Sequence, residues 1–178
     1  MLARTAAEAN TLSMERRNNR FLPDSPFPEC LTITSQPEIA LRKSNLVVVA
    51  VPSERLRENV RQITSYLQSG TTVLNATKGL ELPSARRMSQ VLEDELPGDF
   101  HPGICALSGP NLAKEIVQGK PASTVIASQN PEPAQQVQNA LISARFRVYT
   151  SVDLLGVELA GALKNIVALG AGIADGMD

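Results

Sequence analysis

Four short segments carry residue types that could do chemistry, and all but the last directly follow an apolar run. Val51-Pro52-Ser53 closes the run that begins at Leu46. Pro52 gives up a backbone donor and fits the first turn of a helix, although the tripeptide also reads as a plain strand-to-helix turn capped by Ser53. Asn75-Ala76-Thr77-Lys78-Gly79 places a lysine just beyond a second apolar run. A lysine is a point cation on a flexible stem, able to hold a phosphate or a carbonyl oxygen, and Gly79 lets the backbone turn sharply. The other reading of Lys78 is a solvated surface side chain. Ser108-Gly109-Pro110-Asn111-Leu112-Ala113-Lys114-Glu115 leads from a strand into a helix start. Free N–H groups there favour anions, or simply make a capped helix. The fourth segment, Gly156 to Asn165, sets Lys164 one turn beyond Ala160 and Gly161 on the same face. A lysine over so smooth a patch can be held against a flat ligand, and partial burial would tune it as a general base. Asn165 lies about 100° further round the helix, on the face of Glu158. A packed helix with one snorkelling lysine is the plain alternative.

Few other residues compete. Cys30 and Cys105 make no metal-ligand spacing, so no metal site is expected, and Cys105 reads as core. His101 lies in a Pro/Gly loop. Gly170-Ala171-Gly172 lies inside a helix and reads as tight packing. Asp175 and Asp178 read as the solvated end of that helix. The chain has 178 residues, 43% of them apolar, with 17 basic against 18 acidic side chains. That balance gives no reason to expect a nucleic-acid partner or a polybasic membrane surface, and the absence of Trp argues against a base-stacking platform. The apolar runs are short and strand-like, with none approaching the ~20 residues of a bilayer span. No apolar segment at the N-terminus resembles a secretory signal. Two cysteines without a framework fit a reducing, cytoplasmic setting.

The elements that must position these segments alternate in period. A polar helix is expected over 5–18, then an ordered loop across the three prolines Pro23, Pro26 and Pro28. Strands are expected at 31–34, 46–51, 72–75, 104–107, 123–127 and 146–149. Helices are expected at 53–67, with Leu56, Val60, Ile63 and Leu67 on one stripe, and at 85–96, 111–118, 131–141 and 153–175. Such alternation predicts an α/β fold with a mainly parallel sheet. Leu46–Val51, apolar on both pleat faces, reads as a central strand. Ligands then sit beyond the carboxyl ends of the strands.

In their order and spacing, VPS, ATKG, LSGPN-AKE and VELAGALKN followed by AGIADG, with NNRFLP near the start, resemble the bacterial-type glycerol-3-phosphate dehydrogenases. The resemblance implies a Rossmann-like sheet lacking its first β-α unit over 1–150, and the first helix of an all-α substrate domain over 151–178. It implies NAD or NADP as cofactor, and dihydroxyacetone phosphate and sn-glycerol 3-phosphate as substrates, usually serving phospholipid synthesis. Lys164 corresponds to the catalytic lysine. Lys78, Gly109, Asn111 and Asn165 correspond to substrate contacts, although many relatives have Ser at the position of Asn111. Arg4, Pro52, Lys78 and Ala113 correspond to cofactor contacts, Arg4 standing where a cation admits a 2′-phosphate and hence NADPH. No GxGxxG turn is present, which puts activity of the chain by itself in question, and a homo-oligomer is compatible with everything above. Two alternatives stay open: another Rossmann-type hydroxyacid or sugar-nucleotide dehydrogenase, and a non-catalytic truncated remnant.

Overall fold

The computed structural model describes residues 1–177; Asp178 lies outside them. Its centre is a five-stranded sheet made of β3 (Leu46–Val49), β4 (Thr72–Asn75), β7 (Ile104–Ser108), β8 (Ala122–Ala127) and β9 (Phe146–Ser151), in the order β3-β4-β7-β8-β9. Around it run α1 (Ala6–Glu15), α2 (Pro37–Leu41), α3 (Leu56–Thr64), α4 (Met88–Glu95), α5 (Ala113–Val117), α6 (Pro131–Leu141) and α7 (Leu154–Asp175). Two short hairpins complete it: β1 (Arg17–Asn18) with β2 (Leu22–Pro26), and β5 (Leu80–Glu81) with β6 (Arg86–Arg87). Successive residues of β4 enter different cores, as the two-residue period of a covered strand requires. Val73 joins Leu56, Val60, Val91 and Leu92 beneath α3 and α4, whereas Leu74 joins Val137 and Val148 beneath α6. The stripe expected on α3 is seen, with Leu56 and Val60 buried and Ile63 and Leu67 packed at its margin.

The sheet is mainly parallel, as expected, with one antiparallel pairing. β3, β4 and β7 are parallel, but β8 runs antiparallel to β7, with Ser108 opposite Val125, and β9 runs parallel to β8. The link from β7 to β8 holds only the five-residue α5, too little helix to make a crossover over a sheet face. This reversal decides where α7 goes. β9 ends at Ser151, which lies beside Ala127, the β8 residue opposite Ala106 and two residues below the level of Ser108. Helix α7 therefore starts low, with Leu154 against Ala106 and Ala127, and climbs toward the carboxyl ends of β4 and β7.

Some expectations change with this geometry. β3 is an edge strand, not a central one. β4 is its one ladder partner among the described residues; Val47 and Val49 are buried, but Val48, on the opposite face, is 51% exposed. The expected strand at 31–34 reduces to a single bridge between Thr34 and Leu2. The proline loop forms the β1–β2 hairpin, in which Pro23 and Pro26 are tolerated because the ribbon has only two strands. The helix expected from Ser53 opens as a 3₁₀ turn at Ser53–Arg55 with Pro52 at the cap, so Ser53 caps nothing. The expected helix at 85–96 starts at Met88, behind the β5–β6 hairpin. His101 sits in a 3₁₀ turn, its Nε2 3.0 Å from the Leu96 carbonyl. Cys105 is buried, as expected. Helix α7 revises one more reading: its 22 residues are long and apolar enough, by length and composition alone, to cross a membrane.

Candidate active site

The carboxyl ends of β4 and β7 face the middle of α7 across a small cleft lined by Asn75, Thr77, Lys78, Ser108, Glu158 and Gly161, among others. An Asx turn shapes its first wall. Buried Asn75 accepts from the Thr77 amide through Oδ1 (3.0 Å) and donates to the Thr77 carbonyl through Nδ2 (3.0 Å). The Val51 amide donates to Thr77 Oγ1 (3.3 Å), which ties the exits of β3 and β4 together. This fixes the stem of Lys78, whose Nζ donates to the Gly109 carbonyl at 2.7 Å. Gly79 completes the bend at φ +115°, a region open to glycine.

The second wall is tight. A Cβ on Gly109 would lie 2.8 Å from the Ser123 carbonyl and 3.0 Å from Thr124 Cα. Thr124 Oγ1 donates to the Ser108 carbonyl (2.9 Å) and accepts from Asn111 Nδ2 (3.0 Å). Asn111 Oδ1 is left buried with no partner. A buried acceptor without a donor costs free energy, so this atom suits a ligand N–H or O–H.

Helix α7 forms the third wall. Gly161 comes so close to β7 that a Cβ would stand 2.8 Å from Ser108 Oγ. Gly161 thus serves helix-on-strand approach, while Ala160 is exposed, whereas the sequence had suggested a smooth bed for a ligand. Lys164 lies one turn further on and is exposed rather than partly buried, since the helix has by then passed the end of the sheet. Its charge still reaches Lys78. Partial burial and then the positive charge of Lys164 hold the Lys78 ammonium below its ordinary value.

The structure brings Lys78, Gly109, Asn111 and Lys164 to one sheet edge. Pro52 sits at the neighbouring exit, where a Cβ on Gly79 would meet Ser53 Oγ at 3.4 Å. Ala113 is exposed at the start of α5, two residues beyond Asn111, and Asn165 is exposed beside Lys164. Arg4 is turned to Glu8 in a surface ion pair of 3.0 Å. At five residues α5 is too short to present a helix-end anion site, which leaves the plain helix start of the two readings. Glu158, which is not among the expected site residues, also lines the cleft. Its signal was the stripe Leu154, Val157, Glu158, Gly161, the face of α7 that meets the body.

An α/β sheet with a cleft beyond its parallel strand ends, walled by a helix that follows the sheet, defines the class of Rossmann-like nucleotide-dependent oxidoreductase folds. Residues 1–134 match the model of the NAD-dependent glycerol-3-phosphate dehydrogenase N-terminus, and residues 153–178 match that of its C-terminus. The chain belongs to the NAD-dependent glycerol-3-phosphate dehydrogenase family. A glycerol-3-phosphate dehydrogenase [NAD(P)+] of Dehalococcoides mccartyi is 49% identical over 176 residues, which cover 98% of this chain and 49% of the relative. One from Desulfitobacterium hafniense is 44% identical over 177 residues, covering 99% and 49%. A crystal structure of glycerol-3-phosphate dehydrogenase from Coxiella burnetii superposes with a TM-score of 0.85 at 32% identity, over 97% of this chain and 52% of that one. The chain spans about half the length of the curated relatives it matches.

Proposed function

We propose that this chain carries the catalytic Lys164 and the substrate-binding Lys78 of an enzyme that interconverts dihydroxyacetone phosphate and sn-glycerol 3-phosphate with NAD or NADP, in the cytoplasm, for phospholipid synthesis. The observation that carries the reading is the convergence of Lys78 and Lys164 at the carboxyl edge of β4 and β7, beside the unpartnered Asn111 Oδ1. The names of the relatives supply the substrate class. In this reading residues 1–150 are the nucleotide-binding part and 151–178 open the substrate domain.

The groups at the rim of the cleft suit the reacting end of a nicotinamide complex by their chemistry. Asn111 Oδ1 can accept from an amide or hydroxyl, and two ammonium groups can face a polarised oxygen. A bound nicotinamide would supply or take up a hydride. Lys164, free of side-chain partners among the described residues, gives a proton from its ammonium to the substrate oxygen in reduction, and as the neutral amine takes the proton of the substrate hydroxyl in oxidation. Lys78, held by the Gly109 carbonyl, orients the substrate oxygen and offsets its negative charge. Gly109, Asn111 and Asn165 border the substrate, and Pro52, Ala113 and Arg4 the cofactor. For Arg4 that role requires its pairing with Glu8 to open.

Replacement of Lys164 by Met in the enzyme at the full length of its relatives should cut kcat by at least ~10²-fold, the usual scale of acid–base assistance. Near-normal turnover would remove the assignment. Lys78→Ala should mainly lower kcat/KM through weaker substrate binding, and an unchanged kcat/KM would rule out its contact with the substrate.

A further inference from the structure

The Glu158 carboxylate is buried, with 6% of its side chain exposed, in a part of α7 that is otherwise apolar or small. It accepts from Arg87 Nη1 (2.6 Å), from the Ser89 amide (2.7 Å) and from Ser89 Oγ (2.6 Å). Ser89 stands in the first turn of α4, so the carboxylate caps that helix from another element, at the end where negative charge is favoured. The platform is itself fixed: Arg87 Nη1 also donates to Ser89 Oγ (2.8 Å), and the Arg87 amide donates to Gln90 Oε1 (3.1 Å). On α7 the anchored residues are Leu154, Val157, Glu158 and Gly161, one stripe of the helix. Beyond Ala162 every described residue is exposed. Lys164 has no side-chain hydrogen bond among the described residues and stands about 9 Å along the axis from Glu158. The helix alone carries it there.

We propose that Glu158 is a positioning residue, which through Arg87 and the first turn of α4 sets the rotation of α7 that holds Lys164 beside Lys78. The importance of that placement rests on the reading of Lys164 as the proton-transfer group; the placement itself does not. Gly161 against Ser108 sets how closely the helix approaches, and Glu158 sets its angle about the axis. With Glu158 neutral or absent, Arg87 and Ser89 lose their partner. The apolar contacts of Leu154 and Val157 then no longer fix one rotation.

The test is a double-mutant cycle of Lys164 and Glu158 read by NMR titration of the Lys78 side chain in the enzyme at the full length of its relatives. K164M should raise the pKa of Lys78 in the native background by removing a like charge, and should leave it unmoved in an E158Q background. An equal rise in both backgrounds, or no rise in the native one, overturns the proposal. Should E158Q fail to fold, R87M breaks the same ion pair from its more exposed side and should abolish the coupling equally; coupling retained in folded R87M overturns the proposal too. At full length, E158Q should lower kcat about 10²-fold with KM little changed, since a misplacement of about 1 Å can cost that much. Normal kcat in E158Q beside an impaired K164M counts against positioning. Loss of the coupling in E158Q beside normal turnover in K164M supports positioning and defeats the catalytic reading of Lys164.

Discussion

Gly109 is the residue on which the cleft closes, because its carbonyl receives Lys78 while its α-carbon rests on β8. Gly109→Ala should therefore force the backbone away from Ser123 and Thr124 and destabilise the chain by about 1–3 kcal/mol, the usual scale of overpacking. Urea unfolding of the two proteins measures this, and equal midpoints would mean that the strand gives way without cost. At this scale the sequence was informative wherever function depends on position along the chain. Lys78 and Gly109 stood out because each directly follows an apolar strand run. Glu158 did not, because its partners Arg87 and Ser89 lie 71 and 69 residues earlier, and no local pattern joins them. The exposure of Lys164 was equally hidden, since it depends on where the sheet ends beneath α7.

Helices α3 and α4 are joined by charge as well as by their core. Arg57 bonds Glu81 (2.6 Å), Asp94 (2.9 Å) and Glu95, and Arg61 bonds Glu95 (2.6 Å). These bonds hold Glu81 down to about 2 and Glu95 below the ordinary carboxylate value. Unfolded glutamates titrate near about 4.3, so the folded state releases these protons more readily. The network's stabilisation is complete above that value and is lost as pH falls toward 2. Denaturation midpoints followed from pH 6 to pH 2.5 should fall, and Arg57→Met should flatten the decline; an equal slope in both proteins would show that the network contributes nothing. The elements themselves were largely legible, because α3, α6 and α7 carry helical stripes and β4, β7 and β8 are compact apolar runs. The reversal of β8 was not, since alternation fixes which residues face a core and says nothing of which way one strand runs. The antiparallel turn at β8 depends on the length of one connection, and it is what aims α7 at the cleft.

Taken whole, the described chain has two bare apolar features. One is the outer edge of β3 with Val48, and the other is the length of α7 past the sheet, where Ile166, Val167, Leu169 and Ile173 are each more than half exposed. Unpaired strand edges and contiguous apolar faces both invite association. The 178-residue chain by itself should self-associate at micromolar concentration and bind NADH weakly, since no glycine-rich turn cradles a pyrophosphate among the described residues. Analytical ultracentrifugation and calorimetric titration measure both, and a monomer with micromolar affinity would contradict the expectation. The clamp on α7 also has a meaning in time. A ribosome delivers the chain from its N-terminus, and by the time Leu154 emerges, Arg87, Ser89 and Ser108 have long preceded it. The helix with Lys164 is thus the last part of the cluster to be synthesised, and the surface that receives it comes entirely from residues already made.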